Sequence, residues 1–348
     1  MVNVKIRHKK IGDGNPCYIS LEAGATWLDY YNAKEMIKAA SASGADAVKF
    51  QTFLPGDSER MIYNQNLKVE FTTTKGKKTE SIFDALKRRE LPKNKWKELV
   101  NYSHKHNLAF ITTSVFPETV DFIKKIGVDA IKIAKGDINN VLLIDYASKQ
   151  KIPIILDGRE KFSDVEKAIK ISKKNKNHQI IIMHCPSGYP AKNSGIHLKT
   201  IPEIKKKYHL PVGFSDHSPD DTMNYAALAL GANMLEKTIT SNKKQQHVEH
   251  FMSLELNELN SFVTKIRNVE LAMGDPKILK ISRVTEDVRR SFVTKKFIHK
   301  NEKIKSEHLD FKRPGNLGIS VSKGIDLLNK TAKIDIPKGT ILQNNMLK

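Results

Sequence analysis

The sequence predicts an α/β chain, a (β/α)8 (TIM) barrel followed by a small β-rich module. Three observations carry this. Eight short apolar runs alternate with segments of helical period. Charged and hydrogen-bonding residues gather at the C-terminal ends of those runs, where a parallel barrel builds its cleft. After Met273 the alternation stops, and short strand-like runs with Gly/Pro turns replace it. The expected division is 1–280 for the barrel and 281–348 for the module.

The expected strands are 17–22, 47–50, 109–113, 130–133, 152–156, 180–184, 212–214 and 232–235. The intervening helices are 32–43, 93–106, 118–125, 141–149, 163–173, 201–208, 220–230 and 255–273. In the third helix Val120, Ile123 and Ile126 recur at helical spacing, and Pro92, Pro117 and Pro202 suit a helix first turn. The stretch 52–92, about forty residues, exceeds an ordinary loop and is expected to form a lid over the cleft. In the tail, 289–295 and 333–336 read as strands.

The 348 residues suit a large barrel plus an appended module, and 39% hydrophobic residues can fill such a core. No run of about 18 apolar residues occurs, so no membrane span is expected. Met1–Lys10 is charged and has no apolar h-region, so no secretory signal is expected. Cys17 and Cys185 sit in apolar runs, as buried reduced thiols of a cytoplasmic protein would. The formal charge of +21 could mark nucleic-acid binding. The lysines are spread along the chain, with no recognition motif or stacking platform. A Lys-rich surface with an anion-binding cleft fits better, and no nucleic acid or membrane partner is expected.

The strand ends offer Glu22, Lys49, Gln51, Ser114, Lys132, Lys135, Asp137, Asp157, His184, Ser215, Asp216, His217, Glu236 and Lys237. Several lysines facing one pocket, with serines and Tyr189 nearby, make an anion site. His217, Asp216 and Glu22 could hold a divalent cation or act as acids and bases. Each residue also has a plainer reading. A strand-end lysine can snorkel or pair locally, His184 reads as a hydrogen-bonded core histidine, and Asp216 can cap the next helix.

The order of motifs resembles one family, the sialic acid synthases and their relatives that make pseudaminic, legionaminic and other nonulosonic acids. The resemblance runs through Gly44-Ala-Asp-Ala-Val-Lys-Phe-Gln-Thr52, Ile131-Lys-Ile-Ala-Lys-Gly-Asp137 and His184-Cys-Pro-Ser-Gly-Tyr-Pro190. It continues in Val212-Gly-Phe-Ser-Asp-His217, Gly231-Ala-Asn-Met-Leu-Glu-Lys237, Arg289-Arg-Ser291 and Lys312-Arg-Pro-Gly315. The tail looks like the family's SAF (antifreeze-like) domain. The resemblance implies a synthase that joins phosphoenolpyruvate to the open-chain aldehyde of an N-acylated hexosamine, aided by a divalent metal, usually manganese. It implies that Lys49, Lys132, Ser114 and Ser215 hold phosphoenolpyruvate, that Glu22 contacts the sugar near the metal, and that Gln51 and Tyr189 line the sugar pocket. His217 would be a metal ligand. Arg313 would close the site from a partner subunit, in a domain-swapped homodimer. Glu22, His217, Lys132 and Asp216 are the candidate catalytic residues. Lys135, Asp137, Asp157, Ser187, Lys237 and Glu249 join the binding set.

Several family positions are changed. Thr238 stands where a second metal histidine is expected, with His247, Glu249 or His250 as candidate substitutes. Lys135 and Asp157 stand at serine positions, Glu249 at an aspartate and Ser187-Gly188 before the sugar-pocket tyrosine. Thr26-Trp27 replaces an Asn-His. A threonine is a poor ligand for a divalent ion. Two alternatives to the synthase therefore stay open. One is a metal-independent aldolase or lyase with Lys132, Lys135 or Lys237 as a Schiff-base amine. The other is an inactive sugar-binding protein.

Overall fold

A computed structural model describes residues 3–158, 162–274 and 288–348. The packing divides the chain into two units, Met1–Met273 and Gly274–Lys348. The boundary expected near residue 280 lies outside the described residues.

The first unit opens with a hairpin, β1 (Val4–Ile6) and β2 (Lys9–Ile11). Eight parallel strands follow: β3 (Tyr18–Glu22), β4 (Ala47–Gln51), β7 (Ala109–Thr113), β8 (Ala130–Ile133), β9 (Ile154–Asp157), β10 (Ile180–His184), β11 (Val212–Asp216) and β12 (Met234–Thr240). Each pairs with the next, and β12 returns to β3, so the sheet closes into the expected barrel. The strand positions match the expectations within a few residues. The expected 232–235 run is shifted, because the turn at Gly231 extends to Asn233 and the strand continues to Thr240.

Alternation along the strands sorts the side chains. Ile19, Val48, Phe110, Ile131, Leu156, Ile182, Phe214 and Leu235 face outward into one core with the helices. There α4 (Lys93–Lys105) buries Trp96, Leu99 and Val100, and α5 (Pro117–Lys125) buries Val120 and Ile123. Tyr18, Ala47, Ala109, Ala130, Ile155, Ile181 and Met234 point inward and meet Val4, Ile6 and Ile11 of the hairpin. The hairpin thus plugs the N-terminal end of the barrel, and only the C-terminal end can open to a ligand. Its short runs hold too few alternating residues to read as strands from sequence. Gly213 of β11 also faces inward, where a Cβ would collide with the Met183 side chain.

The insertion 52–92 is ordered. It comprises α2 (Asp57–Met61), a hairpin of β5 (Lys68–Thr73) and β6 (Gly76–Ser81), and α3 (Ile82–Lys87). Phe71 of β5 packs with Ala25 and Val248. Thr72 N–H donates to the Tyr189 carbonyl, and Glu80 accepts from Val248 N–H at 3.1 Å and from Arg88. The expected lid is therefore fastened to two loops at the open end of the barrel.

In the second unit β14 (Ser291–Thr294) pairs antiparallel with β15 (Leu309–Lys312) over a core that includes Phe292, Ile298, Ile304, Leu309, Ile336 and Leu342. The strand expected at 333–336 is absent. Ile336 makes a single bridge to Ile298, and the second strand is β15. Leu309-Asp-Phe-Lys312 does alternate apolar with polar, but four residues are too short a run to read as a strand from sequence.

Candidate active site

At the open end, inward positions of six barrel strands supply the polar groups. These are Glu22, Lys49 with Gln51, Thr113, Lys132, Asp157 and Glu236, joined by His217 just beyond β11. They line a cavity of about 270 Å³, together with Lys135, Asp137, Tyr189 and Glu249. Phe53, Met61 and Leu86 of the insertion form its apolar wall. A wider groove of about 860 Å³ lies elsewhere, lined by Phe162, His197, Leu198, Met223 and Leu230 among others, and holds none of the strand-end groups.

The floor is a buried charge network. Lys132 Nζ lies 2.5 Å from Glu236 Oε1, Ser215 Oγ donates to the same oxygen at 2.8 Å, and Lys49 Nζ lies 3.6 Å from it. Lys49 also pairs with Glu22, whose other oxygen accepts Gly24 N–H at 2.6 Å. A side chain at residue 24 would strike that carboxylate, so the turn requires glycine. Lys49, Lys132, Glu22 and Glu236 are each at most 5% exposed. Burial alone raises the Glu236 carboxyl, yet Lys132 and Lys49 outweigh it and hold it down at about 2. Burial pushes the Lys49 ammonium down to about 8; Glu236 opposes this and Lys132 adds to it. For Lys132 burial also works against the charge, but Glu236 prevails and the ammonium is held above its ordinary range. Glu236 Oε2 has no hydrogen-bond partner among the described residues.

Asp216 and Lys237, expected in the cleft, are not there. They occupy the outward positions next to Ser215 and Glu236. Lys237 Nζ donates to Asp216 Oδ2 at 2.8 Å and to the carbonyls of Ser218 and Asp220. Asp216 further accepts from Ser218 N–H and Asn224 Nδ2. The pair ties β11 to the turn before α9 (Thr222–Ala229). Ser114 likewise misses the cavity, because Thr113 takes the inward place on β7 and the Ser114 hydroxyl approaches the Phe116 carbonyl. Ser215 lies beneath the floor and orients Glu236. Ser187 is exposed, outside the cavity lining. His184 faces the helices and bonds the Ile196 carbonyl at 2.5 Å, the core role expected for it. Arg313 is exposed on the second unit.

Of the candidate cation ligands, Glu22, His217 and Glu249 line the cavity, whereas Asp216, His247 and His250 do not. Thr238 is buried and is not part of the cavity lining. His250 Nδ1 is bonded to Thr240 Oγ1 at 2.7 Å, and burial, His247 and Arg88 push its pKa down to about 4. His247 Nδ1 faces Glu80 at 3.2 Å. Glu249 alone of the three substitutes lines the cavity. Glu22 and Glu236 there are already paired with lysines. Among the described residues, no three His, Cys, Asp or Glu side chains are grouped as a metal site needs. This donor set does not fit a divalent cation.

Sequence reasoning names Glu236 among the strand-end residues but assigns it no role in the site. It also missed Thr113 and Arg89. Arg89 follows α3, is 6% exposed, and donates from Nη1 to Gln51 Oε1 at 2.7 Å. The signal for Glu236 was available, since it shares the inward parity of Met234. No sequence signal marks Arg89, because only the folded insertion brings it to β4.

The NeuB family profile matches residues 36–278, most of the barrel. The chain belongs to the NeuB family. The SAF domain profile matches residues 289–348, which places that domain at the C-terminus. Among relatives of this NeuB chain, the N,N'-diacetyllegionaminic acid synthase of Campylobacter jejuni is 35% identical over 322 residues, 90% of this chain and 95% of the relative. A crystal structure of N-acetylneuraminic acid synthetase from Leptospira borgpetersenii serovar Hardjo-bovis superposes with a TM-score of 0.72 at 30% identity. It covers 82% of this chain and 95% of that one. The Bacillus subtilis spore coat polysaccharide biosynthesis protein SpsE covers 99% of both chains, with a TM-score of 0.68 and 27% identity. Two of these three relatives are thus named as synthases of the sialic acid type. Among the described residues, no helix is long and apolar enough to cross a membrane.

Proposed function

We propose that this protein is a nonulosonic acid synthase, condensing phosphoenolpyruvate with the open-chain aldehyde of an N-acylated hexosamine and releasing phosphate. The observation that carries the reading is the pair of buried ammonium groups, Lys49 and Lys132, beside Glu236 on the cavity floor. Two fixed cations at the base of an enclosed cleft suit a carboxylate and a phosphate, and their attraction is strong where water is excluded. Lys135, at the exposed edge of the cavity, adds a third cation.

In the reaction C3 of the enol attacks the aldehyde carbon, and the aldehyde oxygen takes up a proton. Water adds at C2, and phosphate leaves with cleavage of the C–O bond, so one water is consumed per phosphate released. Lys49 and Lys132 hold the donor's charge, while Gln51, Tyr189 and Glu249 border the acceptor end. His217, its ring stacked on Tyr189 with centroids 5.4 Å apart, lines the same cavity and serves in this reading as the proton carrier. No step is assigned to a metal, given the donor set. Lys237, one candidate for imine chemistry, has all three donors engaged. The family resemblance supports a homodimer in which Arg313 of one subunit's SAF domain closes the other's cleft, and the buried thiols of Cys17 and Cys185 suit a reducing, cytoplasmic compartment.

The test is phosphate release from phosphoenolpyruvate across a panel of N-acylated hexosamines, with and without manganese. Release that requires a sugar supports the synthase. A protein that binds sugars and releases no phosphate with any of them would instead be the inactive binding protein.

A further inference from the structure

Gln51 and Glu249 reach the cavity from different elements, β4 and the loop after β12, and Arg89 of the insertion stands behind both. Arg89 Nη1 donates to Gln51 Oε1 at 2.7 Å. A guanidinium only donates, so the amide oxygen of Gln51 must face Arg89, and the Nε2 donor is left for the cavity. That Nε2 donates no hydrogen bond to any described residue. Glu249 supplies the opposite polarity, since its carboxylate lines the cavity with no hydrogen bond or ion pair among the described residues. Its backbone is held in the left-handed region at φ 74°, an uncommon conformation for a side-chain-bearing residue. Buried Val248 before it and the Ser253 hydroxyl on its carbonyl fix the turn. Arg89 and Glu249 also sense each other. Burial raises the Glu249 carboxyl against the pull of Arg89, and burial lowers the Arg89 guanidinium against the pull of Glu249.

We propose that Arg89 is a positioning residue that sets the polarity of the acceptor end, fixing the Gln51 Nε2 donor beside the Glu249 acceptor so that together they select an N-acylamino group. Such a group offers a carbonyl oxygen to Gln51 and an N–H to Glu249, whereas a free sugar amine is charged and has no oxygen to give. This selectivity rests on the condensation reading for its acceptor, but it is a statement about binding and is tested as one.

The full chain is titrated calorimetrically with N-acetylmannosamine, N-acetylglucosamine and N-acetylgalactosamine, and with the three corresponding free amines. Phosphoenolpyruvate is titrated separately. At least one pair should show about a tenfold preference for the acetylated sugar, the size expected when a buried donor and acceptor are both matched. R89M should abolish that preference by weakening the acetylated sugar, leaving the amine and phosphoenolpyruvate affinities within about twofold. R89K, which still donates to Gln51, should restore part of the preference. Q51E, which places a second carboxylate at the acceptor end, should turn it toward the amine. Equal affinity within every pair, absent binding included, would overturn the proposal. So would an R89M protein that binds phosphoenolpyruvate normally and keeps the wild-type preference. Failure of the condensation reading shows elsewhere, as absent phosphoenolpyruvate binding or absent phosphate release.

Discussion

Lys132 and Glu236 meet at 2.5 Å inside the barrel, both at most 5% exposed, and Lys49 approaches the same carboxylate oxygen at 3.6 Å. One anion thus holds two cations in place beside an open cavity. Removing it leaves two like charges buried with less compensation. Glu236→Gln should lower stability by about 3–5 kcal/mol, the usual cost of breaking a buried pair from one side. Urea midpoints measure this. A change within about 0.5 kcal/mol, the range of an ordinary surface substitution, would show that the network is not as drawn.

The same network sets an acid limit. In the folded chain Glu236 is held at about 2, below its ordinary 4.5, so the unfolded chain binds the extra proton first. Its contribution to stability is complete above pH 4.5 and is lost as pH falls from there towards 2. Acid unfolding of the wild type and Glu236→Gln, followed by circular dichroism, should converge over that window. Parallel curves would contradict the assignment.

Lys49 gives an alkaline signature. Its ammonium is depressed to about 8, so a ligand held by that charge should bind more weakly as pH rises through 8. Phosphoenolpyruvate affinity should fall there in the wild type and fall less in Lys49→Arg, because arginine keeps its proton. A profile flat from pH 7 to 9.5 in the wild type would remove Lys49 from the donor site.

Asp216 and Lys237 test the division between site and scaffold. Lys237→Met leaves the Asp216 carboxylate buried without its cation and should cost about 3–5 kcal/mol. Phosphoenolpyruvate affinity of the folded protein should nevertheless stay within about twofold, since neither residue lines the cavity and distant effects are close to additive. A loss of affinity beyond tenfold at full folding would return Lys237 to the site.

The barrel was legible because buried parallel strands read as apolar runs and amphipathic helices separate them. The polar face of the barrel was legible because charges follow those runs. What sequence could not settle was parity at the strand ends. Ser215, Asp216 and His217 are consecutive, yet only the first and third look inward, and a one-residue ambiguity in strand position exchanges the two sets. The same ambiguity put Ser114 forward in place of Thr113. Arg89, and the hairpin that carries Glu80 to Val248, depend on tertiary contacts of the insertion with no periodic trace. The candidate substitutes for the second cation ligand also depend on side-chain directions, and His247 and His250 turn to Glu80 and Thr240 instead.

The most direct measurement is a calorimetric titration of phosphoenolpyruvate into the wild type and Lys132→Met, each with and without manganese. It requires no knowledge of the acceptor sugar. The account predicts one site per chain in the wild type, an affinity the same within about twofold with or without manganese, and binding at least tenfold weaker in Lys132→Met, as loss of a buried charge–charge contact implies. Binding that appears only with manganese would contradict the metal-free reading of the cleft. No binding under either condition would contradict the synthase reading itself.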